Sequence, residues 1–242
     1  MNASLQIEIR SRFSDYLRAL STALHAHGLK LSQCVGSYPR PDQRTAEIAT
    51  FYDPRVVGET NDVVRVMNYD MYFVGGRNLK GSITSRPDCV GMGPAATQPW
   101  AEMSMRWWLA RVPASKLVMG VPAYSNDYSA LPFFGGANGS QAGIGPPSSE
   151  PCRCPSDGCP GPCRQSSGPV ESIWEFDRQS YTYMYTDTDG RPRIRYGTEV
   201  ESTKALLRTA TKLGVDQVGF WTFNLADEAM VNATLEWASG MH

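Results

Sequence analysis

Residues 63–72, Val-Val-Arg-Val-Met-Asn-Tyr-Asp-Met-Tyr, limit what this chain can become more than any other stretch. The run opens β-branched and apolar, as a strand buried on both faces does, and turns abruptly polar and aromatic at its carboxyl end. In barrels and open sheets of the α/β kind, ligands meet the residues just beyond the carboxyl ends of the strands. Tyr69 and Asp70 are therefore the first site candidates. The plain alternative is a satisfied tyrosine and an aspartate capping the next element.

Other stretches repeat the pattern. Phe13, Tyr16, Leu17, Leu20, Ala23 and Leu24 fall at helical spacing before Gly28, which predicts an amphipathic helix over 11–27, with His25 and His27 answering its dipole and carrying no catalytic role. A strand over 29–35 closes at Gly36-Ser37-Tyr38, and a short helix at 44–50 leads to the central strand. The Gly-, Ser- and Pro-rich segment 74–98 reads as a long functional loop. Trp100, Met103, Trp107 and Trp108 mark a helix whose tryptophans are core. Strands follow at 116–121, ending in Pro122-Ala123-Tyr124, and at 217–223. Between them come an inserted Gly/Pro/Ser/Cys excursion over 125–172, a β-hairpin of 181–185 and 193–196 turning at Asp189-Gly190, and a helix over 200–213. A last helix covers 226–237. Alternating strand and helix implies a parallel sheet with right-handed crossovers. Apolar runs give way to Ser37-Tyr38, Tyr69-Asp70, Tyr124 and Trp221-Asn224 at the same strand end, which describes a groove that stacks on sugar rings.

Charge excludes some partners. The 23 basic and 24 acidic residues are interspersed with no basic run, so nucleic acid is not expected, and no stretch reaches the length of a membrane span. The first residues, Met1-Asn2-Ala3-Ser4-Leu5-Gln6, are no signal peptide, yet three sequons, at Asn2, Asn138 and Asn232, fit an exported protein. Cys152, Cys154, Cys159 and Cys163 crowd into a Pro- and Gly-rich loop that reads as disulfide-stapled, with a zinc module as the alternative; Cys34 is expected as a buried thiol and Cys89 as a loop thiol.

Met67-Asn68-Tyr69-Asp70 fits M-x-Y-D, the sixth-strand motif of glycoside hydrolase family 18, the chitinases, and residues 116–124 and Gly219-Phe220-Trp221 resemble that family's seventh and eighth strands. The family's chitobiase branch looks nearest, on the seventh strand, the adjoining Asp127-Tyr128, the Cys-bearing loop and the tyrosine-rich hairpin. The resemblance implies an α/β fold, a partial (β/α)8 TIM barrel of about strands 4 to 8 carrying the Cys/Gly/Pro-rich insertion and the hairpin. Residues 1–242 would form a single, incomplete catalytic-type domain whose missing amino-terminal half-barrel is a possible partner. It implies a substrate of chitin or N-acetylglucosamine oligosaccharides, no cofactor and no metal, and an extracellular or lysosomal setting for the full-length parent.

The implied chemistry is retaining and substrate-assisted: a protonated Glu donates to the glycosidic oxygen while the sugar's acetamido oxygen attacks the anomeric carbon. Aligning the fourth-strand D-x-x-D-x-D-x-E motif makes Glu8 that acid and puts Met1, Ser4 and Gln6 where the three Asp belong; the alternative is a strand-end Glu facing water. Gln6 lacks the supporting charge, which costs roughly two to three decades of rate. Tyr69 and Asp70 would hold the acetamido group, Met67 would pack beside it, Trp221 would floor the subsite and Tyr124 would line the next wall. A catalytically dead, lectin-like sugar-binding protein is the second expectation.

Overall fold

The structure is a computed structural model that describes residues 3–37, 51–71, 94–129, 150–152, 166–190 and 192–240. Four strands form a parallel sheet: β1 (Ser32–Gly36), β2 (Val63–Met67), β3 (Leu117–Pro122) and β9 (Val218–Trp221), in the order β1-β2-β3-β9. Its register decides which side is core. Val35, Val66, Met119 and Val218 stand level across the four strands, and with Val64, Leu117 and Val121 they face the helices.

The helices are α1 (Ala3–Ala26), α2 (Pro54–Thr60), α3 (Gln98–Leu109), α4 (Val200–Lys212) and α5 (Glu228–Ser239). Leu17, Val57, Met105, Trp108, Leu206 and Ala210 bury their side chains on the sheet. Short polar side chains start several of them: Asp53 accepts from the Arg55 amide at 2.9 Å, Thr97 from Trp100 at 3.4 Å, and Asp227 from Met230 at 2.8 Å. Gly214, at φ +67, closes α4. Trp108 is fully buried, and its indole N–H donates to the Gly36 carbonyl at 3.0 Å.

The opposite face of the sheet is different in kind. Cys34, Arg65 and Val118 share one level there, Gly120 and Gly219 the next, and Pro122 and Trp221 the last. Cys34 and Arg65 are exposed, so the expected buried thiol lies instead on the sheet face that no helix among the described residues covers.

Two further readings change. Residues 3–8 are not a strand: they are the first turns of α1. No Gly or Pro interrupts 3–26, so a helix nucleated by the Phe13 to Leu24 stripe propagates cheaply through Leu5 and Ile7, which the motif alignment places in a strand and whose side chains are exposed. The parallel sheet accordingly has four strands among the described residues, not five. The helix expected at 44–50 lies outside the described residues; α2 directly precedes β2.

The stretch 125–172 also contributes ordered strands. β4 (Ser125–Ser129) and β5 (Glu150–Cys152) join β6 (Glu171–Glu175), β7 (Ser180–Thr186) and β8 (Pro192–Gly197) in an antiparallel sheet ordered β5-β4-β8-β7-β6. The hairpin forms as expected, from the Tyr181–Gly197 pair to Thr186–Pro192, with Gly190 at φ +76 in the turn. The cysteines at 89, 154, 159 and 163 lie outside the described residues. Among the described residues no group of three or more His, Cys, Asp or Glu is arranged to hold a metal, and no helix is long and apolar enough to cross a membrane.

Candidate functional site

Tyr69 and Asp70 follow β2, Tyr124 follows β3, and Trp221 ends β9, so all four leave the parallel sheet at its carboxyl edge. They meet. The Asp70 amide donates to the Tyr124 hydroxyl at 3.1 Å, and that hydroxyl donates to Asp70 Oδ1. Asp70 adopts φ +57, a left-handed conformation that Asp and Asn tolerate better than most side chains. The turn aims the carboxylate back over the strand ends. The Tyr69 ring stacks on Trp221, with centroids 6.0 Å apart and planes 18° from parallel. Met67, half-buried, closes β2 immediately beneath them.

Burial and charge set the protonation of this cluster. Tyr124 is 4% exposed, and burial together with the hydrogen bond to the Asp70 carboxylate pushes its phenol far above the ordinary value. Tyr69 is pushed up to about 12, first by burial and then by the Cys34 thiol and the Asp70 carboxylate nearby. Both phenols are therefore neutral donors at any physiological pH. Tyr124 was expected to line a wall; its hydroxyl instead orients Asp70, which leaves Oδ2 to accept from a ligand.

Glu8 is not in this group. It sits on α1, its side chain 54% exposed and ion-paired with Arg12 at 2.7 Å, and the fourth-strand placement that made it an acid falls with the strand itself. Gln6 lies on the same helix.

Sequence reasoning passed over Gly120. A Cβ there would lie 2.4 Å from the Val66 carbonyl oxygen and 3.0 Å from Cε1 of Tyr69, so the bare backbone is what lets the Tyr69 ring settle over β3. The available signal was a lone glycine inside the apolar run Val118-Met119-Gly120-Val121. Asp127 was noted for resemblance alone, yet it is fully buried in β4, accepting from the Tyr185 hydroxyl at 2.5 Å and from Arg193 Nε at 3.1 Å. That charged group ties β7 and β8 to the strand that begins directly after Tyr124.

No family model matches the chain. An uncharacterized glycosylase of Bacillus subtilis, YvbX, is 26% identical over 121 residues, covering 50% of this chain and 31% of that protein. Among solved structures, a chitinase from Chromobacterium violaceum superposes with a TM-score of 0.64 at 20% identity, over 94% of this chain and 61% of that one. A Group IV chitinase from Ostrinia furnacalis superposes with a TM-score of 0.63 at 16% identity, over 96% and 63%. The chain thus has the α/β fold of the chitinases, in agreement with the resemblance carried by its strand-end motifs, and it spans less than two thirds of the length of these proteins.

Proposed function

We propose that the chain is the carboxyl-side part of a chitinase-type glycosidase and that the mouth formed by Tyr69, Asp70, Tyr124 and Trp221 takes β-1,4-linked N-acetylglucosamine oligomers or chitin. The observation that carries this reading is the convergence itself: an oriented carboxylate and two stacked aromatic rings, distant in sequence, at one strand-end mouth. In the proposed complex the sugar's apolar face rests on Trp221 while Oδ2 of Asp70 accepts from the acetamido N–H. Held so, the acetamido oxygen attacks the anomeric carbon as the glycosidic bond breaks, and water later opens the oxazolinium with retention. Asp70 supplies the negative charge that favours the cationic intermediate, and Tyr124, neutral, keeps that carboxylate in place.

The leaving oxygen needs a proton, and Glu8 is not positioned to give it. The sheet face bearing Cys34 and Arg65, uncovered by helix among the described residues, together with β1 and β9, the edge strands among those residues, supports completion by further βα units on this or another polypeptide, and the acid would come from them. The sequons and the clustered cysteines favour an extracellular or lysosomal setting for the complete protein.

A second reading is a lectin-like protein that binds chitooligosaccharides without cleaving them, favoured by the placement of Glu8 on an exposed helix. Incubating the chain, in a form completed by those βα units, with chitotriose and following both products and binding separates the two. Hydrolysis that Asp70→Asn lowers by about a hundredfold and Glu8→Gln leaves intact supports the glycosidase. Binding without turnover supports the lectin, and neither binding nor turnover overturns both.

A further inference from the structure

We propose that the groove between α4 and α5, on the outer side of the helix layer, is a second ligand site and takes a small aromatic carboxylate. The proposal is independent of the saccharide reading of the strand-end mouth.

The groove has a volume of about 340 Å³, within the range of small-molecule sites. Its shape follows from residue size. Leu207 on α4 and Ala233 on α5 are buried and form the floor, and the short Ala233 side chain leaves space that a larger residue would fill. Trp237, one turn on, makes the wall. Its indole N–H donates to the Thr211 hydroxyl at 2.7 Å, which links the two helices, fixes the ring and occupies its one donor. What remains for a ligand is an apolar ring surface, suited to another flat ring.

The rim is charged, and its pairing is incomplete. On α4, Lys204 donates to Glu201 at 2.9 Å and Lys212 to Glu102 of α3 at 2.9 Å. Arg208 lies one helical turn from each, exposed and lining the groove, and among the described residues it meets no acceptor. Glu236 lines the α5 side without pairing with it. A guanidinium fork holds a carboxylate by two parallel bonds, so an open one beside an apolar floor fits a ligand that joins one carboxylate to a flat apolar body. Glu236 repels an anion on its own side, which directs the carboxylate to Arg208 and disfavours a ligand acidic at both ends. α4 lies between α3 and α5, and the groove is on the flank of α5 that faces α4. Units added beyond β9 would meet the opposite flank and leave the groove open.

Calorimetric titration of the 242-residue chain with 1-naphthylacetate tests the proposal. The wild type should bind one equivalent with a Kd of about 1 mM or below. Arg208→Gln should weaken binding about tenfold, and so should replacing the acid by the neutral 2-(1-naphthyl)ethanol. Because Arg208 is exposed and unpaired, the thermal melt of Arg208→Gln should overlay that of the wild type. Ala233→Leu, which fills the floor, should abolish binding. In two-dimensional NMR spectra, the indole signal that Trp237→Phe removes should be the one that 1-naphthylacetate shifts. An absence of saturable binding up to about 10 mM overturns the site. Equal affinity for the acid and the alcohol, equal affinity of Arg208→Gln and the wild type, or a Trp237 signal that stays in place does the same. None of these results touches the proposed function.

Discussion

Replacing Asp70 separates three effects that one side chain combines. It sits at φ +57, where an ordinary L residue pays about 1 kcal/mol or more. It also accepts the hydroxyl of Tyr124, a group with 4% exposure and little chance of finding water. Leaving such a hydroxyl without an acceptor costs about 1–3 kcal/mol. Asp70→Ala incurs both penalties, so its unfolding free energy should fall by about 2–4 kcal/mol. Asp70→Gly escapes the backbone penalty and should fall about 1 kcal/mol less. Asp70→Asn tolerates the backbone and can still accept from Tyr124, losing only the charge-assisted part, about 1 kcal/mol. Tyr124→Phe leaves an exposed carboxylate that water can satisfy and should cost about 0.5–1.5 kcal/mol. In the Asp70→Ala/Tyr124→Phe double variant the shared hydrogen bond is counted once, so the loss should be smaller than the sum of the singles by about 1 kcal/mol. Urea midpoints at constant slope, read by circular dichroism, give all five values. Equal losses for Ala and Gly, or additivity within about 0.3 kcal/mol in the double variant, would refute the reasoning.

Gly120→Ala should cost about 1–3 kcal/mol and displace Tyr69 from Trp221, because the new methyl meets backbone at 2.4 Å; an unchanged near-ultraviolet dichroism spectrum would argue against the close approach. Arg193→Ala should cost about 3–5 kcal/mol by leaving Asp127 buried without its ion pair, and adding Asp127→Ala should recover part of the loss, so a double variant less stable than the single speaks against that account. Tyr69 is raised to about 12, and Tyr124, Tyr183 and Tyr185 are raised further, in each case chiefly by burial. Since the folded state favours the neutral phenol, this stability is fully present below the unfolded value near pH 10 and is lost as pH rises through the folded values. Phenolate absorbance should show these four silent until the chain unfolds at alkaline pH, and four normal titrations would refute the burial.

What the sequence made legible was whatever a short period encodes. The runs at 63–67, 117–122 and 218–221 declared parallel strands, and their polar and aromatic ends placed Tyr69, Asp70, Tyr124 and Trp221 at one mouth before any geometry was known. The Asp189-Gly190 turn fixed the hairpin because its backbone demands positive φ at Gly190. What failed was a motif alignment over 1–8 that matched only its Glu. An unbroken helix-compatible stretch through Ala26 outweighs it by continuity, and Glu8 leaves the site with it. Gly120 and Asp127 were hidden for another reason: their roles depend on a neighbour across the sheet, Val66 in one case and Arg193 in the other, which no local window contains.

The two faces of the parallel sheet make one more expectation definite. The register that levels Val35 with Val66 and Met119 under the helices necessarily levels Cys34 with Arg65 and Val118 on the other side, where Arg65 bonds to Ser32 and stays exposed. An arginine in the middle of a sheet face can be covered only by an element that brings it a carboxylate or a comparable acceptor, since burying it alone would cost several kcal/mol or more. A covering βα unit would also shut Cys34 away from solvent. Mapping iodoacetamide adducts by mass spectrometry should therefore find Cys34 rapidly modified in this chain, and protected once a longer or paired form completes the face. Chitotetraose, seated at the strand ends above, should leave the rate at Cys34 unchanged. A Cys34 that resists alkylation in the chain alone would mean that its own residues already cover this face, and completion by further βα units would have to be abandoned.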